Sequence, residues 1–351
     1  MTEAPNAHEH ILEPSLPIID PHHHLWDRRL PPPDPAVAPK HGFEWVTRLK
    51  PRYLLDQLLE DVGSGHNVIA TVFVQCGAMH RADGPEAMKP VGETEFVNGV
   101  AAMSASGIYG PIRACAGIVG TANMELGDAV TPVLEAHIAA GNGRFRGIRH
   151  SASYDADPGV LGPLARLGPG LFASTKFREG FAHLAPLGLS FDIWALEPQL
   201  PEVIDLARAF PSTHMVLDHV GTPLGIASYA GRREERFGVW RDNIRRLAEC
   251  PNVSVKLGGL AMVFPGFPSF MSSPPASSEQ LAEEWRPYIE TCIEAFGVKR
   301  AMFESNFPVD MCSCNYATLW NAFKRLAHGC SADEKTALFS GAAKDFYRLH
   351  L

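Results

Sequence analysis

The chain has 351 residues, with 31 Lys+Arg against 39 Asp+Glu and therefore a formal net charge of −8. Apolar residues make up 46% and charged residues 20%, which excludes a disordered chain. The acidic balance and the lack of a long basic run argue against nucleic acid or an anionic membrane surface as partner, and no stretch approaches the roughly 20 apolar residues of a membrane span. Residues 1–17 lack a basic start followed by an apolar core, so they do not read as a signal peptide. Seven scattered cysteines suit reduced thiols in a cytoplasmic protein.

Taken in chain order, residues 1–15 form an extension and 16–20 the first predicted strand. An amphipathic helix over 53–62 follows, with Leu54, Leu55, Leu58 and Leu59 on one face. The next strand, 68–75, is apolar almost without interruption, as a strand buried on both faces should be. Helical spacing over 94–104 leads to a strand at 112–119; spacing over 132–140 leads to a strand at 145–150. Strands at 189–195 and 215–220 flank a helix over 201–209 that opens on a proline. The strands at 253–260 and 300–306 come last, followed by helices over 316–328 and 332–347. Eight strands alternating with helices predict a single-domain α/β protein, a distorted (β/α)8 TIM-type barrel. No glycine-rich dinucleotide fingerprint supports a doubly wound open sheet. Two stretches interrupt the rhythm, the proline-rich 28–50 after the first strand and the Pro/Ser-rich 262–280 after the seventh. Both are expected as loops on the C-terminal rim, where a barrel builds its site.

The polar residues at those strand ends supply the chemistry. His22 and His24 are two apart on an extended segment and face one centre, while His23 faces the other side. Paired neutral imidazoles suit a divalent metal, zinc first. His219 ends the sixth strand and is the third imidazole on the rim. Lys256 lies inside an apolar strand and must find a partner or ligand. Arg149 and His150 end the fourth strand, Gln75 the second, Asp192 and Trp194 the fifth, and Arg113 opens the third. Period two places Glu304 and Asn306 on one face of the eighth strand, the barrel interior. Glu304 there is either catalytic or paired with Lys256.

These segments together resemble the amidohydrolase superfamily, in the branch that includes 2-pyrone-4,6-dicarboxylate lactonase and sugar-acid lactonases. The resemblance rests on Asp20-Pro-His22-His-His24-Leu-Trp-Asp27, Gly147-Ile-Arg149, Leu217-Asp218-His219-Val-Gly221-Thr-Pro223, Val255-Lys256-Leu257 and Phe303-Glu-Ser305-Asn-Phe-Pro308. It implies hydrolysis of a lactone, ester or amide of a small acid by activated water. It also implies a metal held by His22, His24 and His219, although some relatives of this branch work without one. The strand-eight aspartate that takes the proton from water in such enzymes corresponds to Asn306, which cannot accept one. Glu304 is expected to take over that acid/base or metal-ligand role, with Asn306 orienting water or substrate. Arg113, Arg149 and Lys256 are expected to hold a substrate carboxylate or the oxyanion, with His150, Trp194 and Gln75 lining the substrate site. A non-oxidative decarboxylase of the same superfamily and a silent ligand-binding barrel are the alternatives. The partner is a small-molecule substrate, and assembly with further copies is left open.

Overall fold

The computed structural model describes residues 9–29, 34 and 37–351. Eight strands form one sheet in sequence order: β1 (Pro17–His23), β2 (Asn67–Val74), β3 (Arg113–Gly120), β4 (Phe145–Arg149), β5 (Ser190–Ile193), β6 (Met215–Leu217), β7 (Val253–Leu257) and β8 (Ala301–Phe303). All paired neighbours run parallel. The ring closes where His23 bridges Phe307, with the Asn306 N–H on the His22 carbonyl and the His24 N–H on the Phe307 carbonyl, both at 2.8 Å. The predicted barrel is the observed one. Each predicted strand coincides with an observed strand, most ending a few residues earlier than expected because the last residues curl into the rim.

Helices α1 (Leu55–Val62), α2 (Val91–Ala105), α3 (Thr131–Gly141), α4 (Thr175–Phe181), α5 (Leu200–Ala209), α6 (Arg233–Ala248), α7 (Ser278–Phe296) and α8 (Tyr316–Leu326) follow the strands in turn. Their starts are written locally. Asn315 and Ser277 accept from the third N–H along, and prolines occupy the first turns of α3 and α5. The helix expected over 332–347 is broken into Ala332–Thr336 and Ala342–Phe346 by a π turn at Ala337–Gly341.

Alternation along the strands sorts the barrel interior into two layers. The lower layer is apolar: Ile19, Ala70, Val72, Val119, Val216 and Met302 pack on Ala342, Ala343, Tyr347 and Leu349, so the C-terminal segment closes the floor. The upper layer is charged and lies at the C-terminal strand ends. Within the stretch 28–50, residues 37–50 carry a short helix, Glu44–Leu49; of its proline run only Asp34 lies within the described residues. No helix among the described residues is long and apolar enough to cross a membrane.

Candidate active site

Glu304, just past β8, is the hub of the upper layer. It is fully buried, and its Oε1 accepts from both the ring Nδ1 and the backbone N–H of His219, at 2.7 and 3.0 Å. Its Oε2 lies 2.7 Å from His22 Nδ1. Burial pushes the Glu304 carboxyl up, but His219 and His22 against its two oxygens outweigh this and hold it below the usual carboxylate range. The chain makes room for this cluster with two glycines after β7. A side chain at Gly258 would run into Glu304, and one at Gly259 (φ 68°) into the His219 ring. His219 and Asn306 themselves take left-handed backbone, φ 57° and 53°, a strained conformation for side-chain-bearing residues.

A lattice of charge lies beside Glu304. Lys256 Nζ is 2.7 Å from Asp192 Oδ2, 2.9 Å from Asp218 Oδ1 and 3.1 Å from His22 Nδ1. Arg149 Nη1 reaches His22 Nε2 at 3.2 Å and Asp218 Oδ2 at 3.3 Å, and its Nη2 donates to the Gln75 carbonyl. From below, the Tyr347 hydroxyl donates to Asp192 Oδ2 at 2.6 Å. Burial alone would discharge Lys256; Asp192, Asp218 and Glu304 instead raise it above its ordinary value. Asp218 would be raised by burial, but Lys256 and His22 keep it well below the carboxylate range. Asp192 is pushed up to about 6 by burial, which Lys256 only partly offsets. Burial and the neighbouring Lys256 charge take His22 down to about 4, so its ring is neutral.

Above this lattice opens a cavity of about 190 Å³ lined by His24, Arg149, His219 and Asn306, with Trp26, Phe43, Val46, Trp194 and Met262 among its walls. His219 therefore shows the cavity a ring whose Nδ1–H is held on Glu304, leaving Nε2 for chemistry. His24 Nδ1 gives its proton to the Val74 carbonyl at 2.7 Å, and burial keeps the ring neutral, so its Nε2 must accept. The side-chain amide of Asn306 lies 3.2 Å from that nitrogen and 2.7 Å from Asp310. Amide orientation is fixed by the network rather than by shape. The consistent arrangement turns the NH₂ to His24 and the carbonyl to Asp310. Asp310 must then carry a proton, and burial does raise it to about 7.

The structure thus gathers His22, His24, Arg149, His219, Lys256, Glu304 and Asn306 into one centre and places Trp194 and Gln75 on the cavity. Glu304 and Lys256 lie behind the cavity wall rather than on it, acting through His219 and His22. Two expectations are corrected. Arg113 begins its strand, so it is exposed at the opposite end of the barrel, its guanidinium on the Pro111 and Ile112 carbonyls. His150 follows inward-facing Arg149 and so points outward, accepting from the Met124 N–H and lying against Phe177. His23 also faces outward, onto Thr71, as its parity predicts. Sequence reading left out Asp218 and Asp192 as the carboxylates that hold Lys256. Their inward parity in β5 and at the end of β6 was the available signal.

The expected metal ligands are partly regrouped. His22, Asp218 and His219 offer donor atoms within 4.8 Å of one another, while His24 is tied to Val74 and Asn306 instead. As packed, these donors already face cations: Lys256 on His22 and Asp218, and Arg149 on the same two residues. The arrangement does not accommodate a divalent ion unless one of those side chains is displaced.

Residues 19–349 match the amidohydrolase family profile. The chain is 35% identical over 337 residues to protein y4mH of Sinorhizobium fredii, covering 95% of this chain and 99% of that one. It is 29% identical over 224 residues to an L-fucono-1,5-lactonase of Burkholderia multivorans, covering 63% and 69%. A solved amidohydrolase from Burkholderia multivorans with bound zinc superposes with a TM-score of 0.69 at 25% identity, over 95% of this chain and 99% of that one. With barrel, rim chemistry and profile in agreement across nearly its whole length, the chain belongs to the amidohydrolase family and is a TIM-barrel enzyme.

Proposed function

We propose that this protein hydrolyses a lactone, or a related ester of a small acid, by water activated at His219. The observation that carries the reading is the His219–Glu304 pair. A buried carboxylate holds one ring nitrogen at 2.7 Å while the ring lines the cavity. A carboxylate so placed fixes the tautomer and stabilises the imidazolium that forms when the ring takes a proton. The lactonase relative supports the reaction class.

In the proposed step His219 Nε2 takes a proton from water as the oxygen attacks the substrate carbonyl carbon. The Arg149 guanidinium, anchored by Asp218 and the Gln75 carbonyl, meets the developing oxyanion. The acyl–oxygen bond then breaks, and His219 returns its proton to the departing ring oxygen. The product is the open hydroxy acid. Lys256 keeps Asp192 and Asp218 ionised yet neutralised below, so that positive charge at Arg149 remains available to substrate. The positive charge a metal would bring is supplied here by side chains.

A lactone panel assayed by acid release tests the proposal, with His219→Asn and Glu304→Gln as variants. Lactone opening by the native chain, lost in His219→Asn, is expected. No opening of any lactone, or undiminished opening in His219→Asn, overturns it.

A further inference from the structure

A second guanidinium faces the cavity and takes no part in the steps above. Arg28, on the rim segment after β1, donates from Nη2 to the Cys76 carbonyl at 3.1 Å, next to the Gln75 carbonyl that holds Arg149. Two cations are thus tethered to consecutive peptide groups at the end of β2, and both line the cavity. Arg28 lies 5.1 Å over the Trp26 ring and meets no carboxylate among the described residues. Its Nε is buried without a hydrogen-bond partner, and so is Trp194 Nε1 on the same cavity. Buried donors are seldom left unpaired, and an unpaired guanidinium N–H is the costliest kind. Phe43, Val46, Leu164, Met262 and Val309 form an apolar side of the wall, and Thr47 and Ser151 also line the cavity.

We propose that Arg28 determines specificity by binding a substrate carboxylate, and that the substrate is a compact lactone bearing that carboxylate. This rests on the hydrolase reading for the word lactone, but the anchor itself does not need turnover. A guanidinium recognises a carboxylate through paired N–H donors, and the Trp26 ring lies beside the Arg28 guanidinium on the cavity.

The test separates the two claims. Binding of benzoate and benzamide to the full-length protein is measured by calorimetry for the native chain, Arg28→Gln and Arg28→Lys. We expect the native chain to prefer benzoate roughly 10–100-fold, as a charge-assisted pair supports. That preference should vanish in Arg28→Gln and survive in part in Arg28→Lys. A native chain without preference, or a preference retained in Arg28→Gln, overturns the anchor. Turnover is then compared for a 2-pyrone bearing one carboxylate and for its carboxamide. The carboxylate is expected to lead, with its advantage over the carboxamide falling 10–100-fold in Arg28→Gln. An advantage that stays unchanged in Arg28→Gln overturns the anchor as well. Benzoate selectivity without opening of any lactone leaves the anchor standing and removes the hydrolase reading instead.

Discussion

Glu304 grips His219 twice, through the ring Nδ1 at 2.7 Å and the backbone N–H at 3.0 Å, so one carboxylate fixes both the tautomer and the position of the ring. Glu304→Gln preserves the shape and removes the charge that stabilises the imidazolium. We expect kcat to fall about 10²–10⁴-fold. The acid limb of the pH–rate profile should move to lower pH, because the ring loses its counter-charge. Near-native turnover with an unmoved profile would contradict the role.

Gly259 has φ 68° and would carry a side chain into the His219 ring. Gly259→Ala should therefore fold with a displaced His219 and lose most activity, while a matched change at solvent-facing Gly143 leaves kcat unaffected. Thermal melts beside kinetics distinguish a displaced ring from an unfolded barrel.

Lys256 is the buried counter-charge of Asp192 and Asp218. Lys256→Met leaves two buried carboxylates without their ammonium and should destabilise the fold by about 3–5 kcal/mol in denaturant titrations. Adding Asp192→Asn should recover part of this loss, since one of the stranded charges is then gone. An additive double variant would show that the pair does not communicate.

Because Lys256 and Arg149 already occupy the His22 and Asp218 donor atoms, activity should persist in excess chelator. Elemental analysis of the chelated, active protein checks this directly. Activity that disappears with chelator and returns with zinc would show that an ion displaces one of these cations.

Asp310 is raised from an ordinary 3.8 to about 7, with burial the largest cause. The folded chain therefore keeps a proton that the unfolded chain has already lost. The stability this contributes is fully present below the ordinary carboxyl value and is lost as pH rises through about 7. Above that pH an ionised Asp310 turns the Asn306 amide and leaves His24 without its donor, so turnover should fall too. Asp310→Asn should flatten the stability profile between those limits. An unchanged slope in that variant would place the titration elsewhere.

The fold was legible because a strand buried on both faces leaves an almost unbroken apolar run, as in 68–75, and this needs no tertiary knowledge. Strand parity then located His22, Glu304 and Asn306 correctly, and turned His23 outward. Parity failed only where it was not applied: Arg113 opens its strand and His150 follows an inward residue. What could not be read was reach. Arg28 and Phe43 meet the cavity only because a rim segment folds back, and Tyr347 meets Asp192 across 155 positions of chain. The division of labour between Glu304 and His219 was equally hidden, since it depends on which group stands in front.

Tyr347 caps the barrel floor and touches the carboxylate that holds Lys256. The reactive centre is therefore braced from underneath as well as from its mouth: a change that unseats Tyr347 frees Asp192 Oδ2 and is transmitted through Lys256 to Asp218, the carboxylate against which Arg149 rests.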